Sequence, residues 1–108
     1  MAISLPQPIA AYFAADAQKG EDIVQCFTPD AVVIDEKRTF TGRDAIAQWK
    51  AASSAKYDYV SEPFDVEQNG ERYIVTCHVS GNFPGSPIDL RYGFILNDDA
   101  ISHLEIVL

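Results

Sequence analysis

The carboxylate of Asp35 is the group in this sequence best placed to do chemistry, because it follows the apolar run Ala31–Ile34. Side chains alternate between the two faces of a strand, so Asp35 and Val33 share one face. If that face lines an apolar pocket, Asp35 can act as a general base that takes a proton from a bound carbonyl compound. Alternatively, Asp35 accepts hydrogen bonds from the turn around Glu36–Lys37 and has only a structural role.

Aromatic side chains supply the other candidates. The hydroxyl group of Tyr12 can donate a hydrogen bond to an oxyanion, or Tyr12 can be a core residue whose hydroxyl reaches solvent or backbone. Trp49 lies on the apolar face of a predicted helix, where it packs in the core and can also form a pocket wall. We expect apolar and aromatic residues to line the pocket, namely Trp49, Phe64, Val75, Cys77, Tyr92 and Phe94.

The histidines and cysteines show no metal-binding or redox pattern. His78 and His103 are expected to point away from the core, because strand alternation places the more apolar residues on the opposite face. Cys26 and Cys77 lie far apart, without a C-x-x-C spacing, and are expected to be buried free thiols. The sequence has no glycine-rich phosphate loop. We therefore predict no metal and no organic cofactor.

Length and composition exclude several classes of protein. The chain has 108 residues, which suits one domain, and 47% of them are apolar, which is enough for a core. The formal net charge of −8 makes nucleic acid and anionic membranes poor partners. No apolar run is long enough to span a bilayer, and the N-terminal segment lacks the basic residues of a signal peptide. These features predict a cytoplasmic protein.

Apolar periodicity predicts three helices in the first half of the chain. They cover about 6–19, about 21–27 and a third segment that starts near Gly42. A strand, a tight turn and a returning strand at 30–42 separate the second helix from the third.

The second half of the chain is predicted to be β-structure. Four strands follow residue 57, with Asn69-Gly70 as a two-residue turn. The segment 82–87 contains two prolines, which prevents regular pairing, and its Gly85 is expected to adopt a positive φ. The order of elements predicts an α+β fold, in which three N-terminal helices pack on a strongly curved, mostly antiparallel sheet that forms a cystatin-like cone.

Three segments carry a resemblance to a known family. The opening FTPDAVV (27–33), the segment FTGRDAIAQW (40–49) and the terminal meander are similar to the SnoaL-like branch of the nuclear transport factor 2-like superfamily. The resemblance covers nearly the whole chain and implies a single domain over 1–108, with the cone fold of ketosteroid isomerase. It does not fix the activity, because the superfamily includes isomerases, polyketide cyclases, epoxide hydrolases, dehydratases and non-catalytic modules.

Ketosteroid isomerase supplies expectations for single positions through this resemblance. Its general-base Asp ends a strand as Asp35 ends DAVVI here, and its oxyanion-hole Tyr comes from the first helix, where Tyr12 is the nearest match. Its second, protonated Asp lies on a late strand, where either Asp89 or Tyr92 is the matching residue. These two residues differ in strand parity, and both alternatives stay open.

Together these observations favour a pocket for a small apolar or carbonyl-containing molecule. The predicted reaction is a cofactor-independent proton transfer of the isomerase, cyclase or lyase type, with Asp35 as the base. The alternative is a non-catalytic ligand-binding, dimerisation or protein-interaction module. A second polar group near Asp35 and a cavity of several hundred Å³ would favour the first function.

We also expect a homodimer through the bare face of the sheet, with Tyr59, His78 and Arg91 as candidate contacts.

Overall fold

The computed structural model describes residues 4–17 and 23–108. In chain order the elements are helix α1 (Gln7–Ala17), a 3-10 turn (Ile23–Cys26), strands β1 (Phe27–Asp35) and β2 (Arg38–Thr41), helix α2 (Arg43–Lys56), and strands β3 (Tyr59–Asn69), β4 (Arg72–Gly81), β5 (Ile88–Asn97) and β6 (Ala100–Val107). The predicted α+β class is confirmed. Neither α-helix in the described ranges is long and apolar enough to cross a membrane.

The strands of the described ranges form one mixed sheet in the order β2-β1-β6-β5-β4-β3. Strands β3 to β6 form the predicted antiparallel meander, and β1 pairs antiparallel with β2. Strands β1 and β6 run parallel, with Val33 opposite Leu104 and Asp35 opposite Ile106. This parallel pair places the end of β1, which carries Asp35, inside the sheet rather than at its edge.

The prediction of three helices is wrong, since the described residues contain two α-helices. The segment predicted as the second helix, 21–27, forms only the 3-10 turn Ile23–Cys26, and Phe27 already pairs with Ile101 of β6. A helix of one or two turns is marginal by itself, so pairing with β6 ends it. Residues 18–22, which include parts of the first two predicted helices, lie outside the described residues.

The core lies between the two helices and the face of the sheet that they cover, called here the inner face. Helix α2 packs on β1 and β2, and α1 contacts β3 and β6. Along β1, Ala31 and Val33 are buried at alternate positions, as a strand period of two requires. Both layers contribute large, fully buried side chains, namely Tyr12, Phe27, Phe94, Ile9, Ile23, Ile46, Ile101 and Leu104.

The segment between β4 and β5 leaves the strand ladder, as predicted. The ladder ends with Val79 opposite Ile88. Beyond it, the Gly81 backbone N–H donates a hydrogen bond to Ser86 Oγ at 2.9 Å. Gly85 has a φ of +89°, which confirms the positive φ expected from the sequence.

Candidate functional site

Asp35 lies at the end of β1 with its side chain on the inner face, in line with the fully buried Val33. The indole Nε1–H of Trp49, in α2, donates a hydrogen bond to Asp35 Oδ2 at 3.0 Å. A carboxylate offers two acceptor oxygens, so this bond orients Asp35 and leaves Oδ1 for a further contact. The side chain is therefore turned toward the helices and not toward the turn that follows β1.

Beside Trp49 lies a buried ion pair that the sequence analysis missed. The Lys50 ammonium group pairs with Asp16 of α1, and both side chains are 5% exposed. Lys50 also donates a hydrogen bond to the Tyr59 hydroxyl oxygen, and the Tyr59 O–H donates to Asp16 Oδ1 at 2.8 Å. These residues, called here the Asp16–Lys50–Tyr59 cluster, link α1, α2 and β3.

Helical spacing contains a signal for this cluster. Asp16 follows the buried Tyr12 by one helical turn, and Lys50 follows the buried Ile46 in the same way. Both charged residues therefore lie on the apolar stripes of their helices. A charge on such a stripe needs a partner, but no local rule identifies Asp16 and Lys50 as each other's partner across such a long sequence separation.

Aromatic rings surround the ammonium group of Lys50. Lys50 Nζ lies 5.1 Å from the Tyr59 ring centroid, 5.2 Å from that of Trp49 and 6.0 Å from that of Tyr12. These distances lie in the range of cation–π attraction. Tyr12 in turn packs edge-on against Phe94, with 5.5 Å between centroids. The charged cluster is thus embedded in an aromatic part of the core.

Three inward-facing tyrosines keep their protons at neutral pH. Burial raises the pKa of Tyr12, Tyr59 and Tyr92 above the usual value. The negative charges of Asp16 and Asp35 raise the pKa of all three tyrosines further. The three hydroxyl groups therefore lie in the field of both carboxylates, and each can serve as a hydrogen-bond donor.

Ser61 adds a buried hydroxyl group on the inner face of β3, two residues after Tyr59. It lies near enough to the Tyr92 oxygen to offset part of the rise in the Tyr92 pKa. The two groups do not reach hydrogen-bonding geometry, and within the described ranges Ser61 Oγ has no partner. A buried hydroxyl without a partner costs free energy, so this position is notable beside the charged cluster.

Most of the predicted pocket residues lie on the inner face. Burial of Cys77 raises the pKa of its thiol to about 12. The placement of Phe64 in the pocket lining is wrong, because its side chain is 49% exposed. A register shift between Pro63 and Asp65 interrupts the regular alternation of β3 at this point. The other predicted lining residues are buried in the core, namely Trp49, Val75, Cys77, Tyr92 and Phe94.

Strand alternation decides between Asp89 and Tyr92. Tyr92 is 5% exposed on the inner face, whereas Asp89 lies on the opposite face, where its Oδ1 is 2.9 Å from His78 Nδ1. The placement of Tyr59 on the bare face is wrong as well. Its hydroxyl oxygen accepts a hydrogen bond from Lys50 inside the core. This hydrogen bond stabilises the inward orientation of Tyr59, although β3 is an edge strand.

The face of the sheet turned away from the helices, called here the outer face, carries paired polar side chains among the described residues. His78 Nδ1 is hydrogen-bonded to Asp89, and Arg72 forms a salt bridge with Glu105 at 3.6 Å. By strand alternation His103 shares this face with Glu105, so neither histidine lies beside Asp35. In residues 4–17 and 23–108 no three His, Cys, Asp or Glu side chains are grouped to hold a metal ion.

Two concavities differ in their relation to the inner face. One, of about 530 Å³, lies where β3 begins and β4 ends, and is lined by Asp58, Tyr59, Val60, Ser80 and Gly81. It shares Tyr59 with the buried cluster, and Asp35 is not among its lining residues. The other, of about 120 Å³, lies on the outer face and is lined by Arg72, Ile74, Arg91, Gly93, Glu105 and Val107.

Solved structures similar to this chain share its fold. A candidate polyketide cyclase from Sinorhizobium meliloti is 40% identical, with a TM-score of 0.91 and 95% of each chain covered. A ketosteroid isomerase-like protein from Catenulispora acidiphila, in complex with trimethylamine, is 18% identical, with a TM-score of 0.80 over 97% of this chain and 87% of that one. TerC, co-crystallized with polyporic acid, is 17% identical, with a TM-score of 0.79 over 94% and 88%.

Sequence comparison agrees with these structures. The search of curated proteins finds no match. The family model of the SnoaL-like domain matches residues 9–100, which is most of the chain. This match, together with the ketosteroid isomerase-like neighbours, confirms the resemblance noted in the sequence. The chain belongs to the SnoaL-like domain family, with the nuclear transport factor 2-like fold that ketosteroid isomerase shares.

Proposed function

We propose that this protein binds a small carbonyl compound against the inner face and moves a proton on it, with Asp35 as the general base. The hydrogen bond from Trp49 to Asp35 Oδ2 carries this proposal. It fixes the direction of the carboxylate, and no hydrogen bond from a described side chain occupies Oδ1, so we infer that this oxygen receives the substrate proton. A base held in one direction by a neighbouring donor is better prepared for proton transfer than a mobile one.

The proposed step keeps its charges balanced. Asp35 Oδ1 takes a proton from the carbon next to the carbonyl group, and the C–H electron pair forms a C=C bond as negative charge moves to the oxygen. Tyr12 donates its hydroxyl proton in a hydrogen bond to that oxygen, since its raised pKa keeps it protonated. The proton then returns from Asp35 to carbon, at the same or another position, which gives isomerisation or prepares ring closure.

Similar proteins support a small organic ligand. The 40% identical protein from Sinorhizobium meliloti is a candidate polyketide cyclase, and cyclisation of a polyketone begins with loss of such a proton. The complexes with trimethylamine and with polyporic acid were obtained with proteins of the same fold. We infer that the ligand of this chain is a small carbonyl-containing molecule of comparable size.

Exchange of deuterium tests the proposal. The protein is incubated with a panel of ketones and β-keto thioesters deuterated next to the carbonyl group, and loss of deuterium is followed by NMR. Asp35→Asn should slow the enzyme-dependent exchange by at least about a hundredfold, the usual contribution of a general base. Asp65→Asn, at an exposed position of β3, is the matched control and should exchange as the parent does.

The competing function is a non-catalytic binding or interaction module. The position of the 530 Å³ concavity favours it, because this concavity is lined by Tyr59 and not by Asp35. Under this alternative the parent binds members of the panel but removes no deuterium from them. Equal exchange rates in the parent and in Asp35→Asn would also contradict the proposed proton transfer.

A further inference from the structure

The ammonium group of Lys50 has one more donor position than it has partners. An ammonium group donates three hydrogen bonds, and in the part of the chain that the structure describes Lys50 has two oxygen partners, on Asp16 and Tyr59. The three aromatic rings around it satisfy the remaining position only weakly. The side chain is 5% exposed, so water is scarce around the third N–H, and this N–H can bind an oxygen atom of a ligand.

Ser61 gives a second, independent indication of a ligand. Its buried Oγ makes no hydrogen bond of good geometry among the described residues, although it is close enough to the Tyr92 hydroxyl to lower the Tyr92 pKa. It lies on the same strand and face as Tyr59. Buried polar atoms are nearly always paired in folded proteins. A spare N–H on Lys50 of α2 and the unbonded Ser61 Oγ of β3 therefore indicate a bound molecule with more than one oxygen atom.

Trp49 sets the positions of Asp35 and Lys50 relative to each other. Asp35 Oδ2 accepts a hydrogen bond at the edge of the indole, and Lys50 Nζ lies 5.2 Å from the indole centroid. A base and a cation thus flank one flat ring. A planar ligand near this ring can present a C–H group to Asp35 and an oxygen atom to Lys50.

The charged groups of this region stabilise a negatively charged ligand only after Asp35 has taken a proton from it. Lys50 is the buried cation beside Asp16 and Asp35, and the exposed Arg38 lies opposite Asp35 in the β1–β2 ladder. In the buried part, two carboxylates face one ammonium group, so a ligand that arrives there as an anion is repelled. When Asp35 takes the proton, its own charge is neutralised and the new charge appears on the ligand oxygen. Lys50 is the cation of the cluster that can hold that oxygen, with a charge-assisted hydrogen bond.

We propose that Lys50 is a further catalytic residue, whose third N–H binds the carbonyl oxygen that becomes negatively charged. The inference rests on the proposed function and narrows the substrate to a planar ketone with a second oxygen function, such as a 1,3-dicarbonyl compound. Asp35 receives the proton, the C–H electron pair becomes the C=C bond, and Lys50 stabilises the enolate oxygen together with Tyr12. Ser61 Oγ binds the second oxygen.

The test uses para-nitrophenol, whose phenolate resembles an enolate and has a distinct absorbance. Binding is measured in an Asp35→Asn background, because the neutral amide resembles the protonated Asp35 of the enolate complex. Bound probe should be more ionised than free probe at the same pH. Adding Lys50→Met should remove this difference and weaken phenolate binding about tenfold to a hundredfold, as expected for loss of a charge-assisted hydrogen bond.

Controls separate the charge of Lys50 from folding. Lys50→Met leaves Asp16 buried without its cation, which can destabilise the fold, so Asp16→Asn is combined with it and folding is checked by circular dichroism. Lys37→Met, at an exposed turn position, should bind the phenolate as its background does. Unchanged phenolate binding in the Asp16→Asn, Lys50→Met protein overturns the inference, and so does a probe that is no more ionised when bound. The absorbance of the bound probe is measured without any reaction. Failure of the proposed proton transfer, seen as absent deuterium exchange, is therefore distinguished from failure of the proposed role of Lys50.

Discussion

At the scale of single residues, α2 orients two carboxylates, Asp35 of the inner face and Asp16 of α1. The Trp49 indole donates to Asp35, and the next residue, Lys50, pairs with Asp16. Neighbouring helical residues point about 100° apart, so one turn of helix reaches β1 with one side chain and α1 with the other. A shift of α2 would therefore move the base and the buried cation together.

Substitution of Asp35 separates its chemical role from its structural role. Asp35→Asn keeps an oxygen acceptor for Trp49, so its free energy of unfolding at neutral pH should stay within about 1 kcal/mol of the parent. Asp35→Ala leaves the indole N–H without that acceptor and should cost about 1–3 kcal/mol. Denaturant unfolding at about pH 5 and about pH 8 measures both variants. A loss in Asp35→Asn that grows with pH would show a stabilising carboxylate and argue against the general base.

The raised pKa of Cys77 predicts that the free energy of unfolding falls in alkaline solution. Its folded pKa of about 12 lies above the ordinary value of 9.0, so above pH 9.0 the unfolded thiol ionises first. The contribution of the neutral Cys77 thiol to the free energy of unfolding is complete below pH 9.0. It is lost as the pH rises from 9.0 toward the folded pKa of about 12. One pH unit above the ordinary value the loss is about 1.4 kcal/mol.

Cys77→Val provides the comparison for this prediction. Valine is close to cysteine in size and does not ionise, so the variant should lose less free energy of unfolding than the parent between about pH 8 and about pH 10. Urea unfolding at the two pH values measures the difference. The buried tyrosines contribute to both proteins and cancel. Equal losses in both proteins would mean that the thiol is less buried than the structure shows.

At the scale of elements, regular pairing decides how much the sequence can predict. Strand β1 pairs on both sides, and its register is regular from Val32 to Asp35, so a period of two correctly placed Asp35 on the same face as Val33. Strand β3 is an edge strand with a register shift at Pro63, and proline at an edge position is tolerated because it needs no ladder partner. Tyr59 and Phe64 lie on opposite faces, as alternation requires up to this shift, so both were misplaced because the wrong face of β3 was assigned to the core.

The contacts between the helices and the sheet could not be predicted from the sequence, because they join residues that are far apart in the chain. The meander follows from local turn signals such as Asn69-Gly70, and it was predicted correctly. The Asp16–Lys50–Tyr59 cluster joins three elements that are distant in sequence. Only the packed arrangement of α1, α2 and β3 brings these groups together, so the sequence predicted the candidate base and missed the buried cation.

The loop between β4 and β5 offers a test at this scale. Gly85 has a φ of +89°, and a Cβ at this position would meet no atom within 4 Å. Gly85→Val should therefore destabilise the fold through backbone strain alone, by about 1–2 kcal/mol. Gly85→Asn should cost less, because asparagine adopts positive φ more readily than β-branched residues. Urea unfolding measures both, and equal stability of Gly85→Val and the parent would show a loop that relaxes freely.

At the scale of the whole molecule, the two faces of the sheet are unequal. The helices cover the inner face, whereas the outer face carries the hydrogen-bonded pair His78–Asp89 and the salt bridge Arg72–Glu105. Exposed apolar side chains also occur on strands at both sides of the meander, with Val60 58% and Val107 47% exposed. An antiparallel sheet tolerates water on one face, but mixed apolar and paired charged groups are also typical of an interface between copies.

We expect the protein to be a homodimer that uses this outer face. Arg91 lies on β5, in the middle of the meander, and lines the 120 Å³ concavity with Val107 and Glu105. In a twofold dimer any substitution there occurs twice in one interface, so Arg91→Glu brings two added negative charges near Glu105 and should weaken association at least about tenfold. Lys37→Glu makes the same change of charge in the β1–β2 turn, away from this face, and should not.

Light scattering after size-exclusion chromatography decides between the states. The parent and Lys37→Glu should elute with twice the monomer mass of 11.9 kDa, and Arg91→Glu should shift toward the monomer mass as it is diluted. Raised ionic strength should recover part of the Arg91→Glu dimer, because salt screens the repulsion between exposed charges. A parent that has the monomer mass at micromolar concentration would contradict the dimer, and its bare outer face would then be a solvated surface.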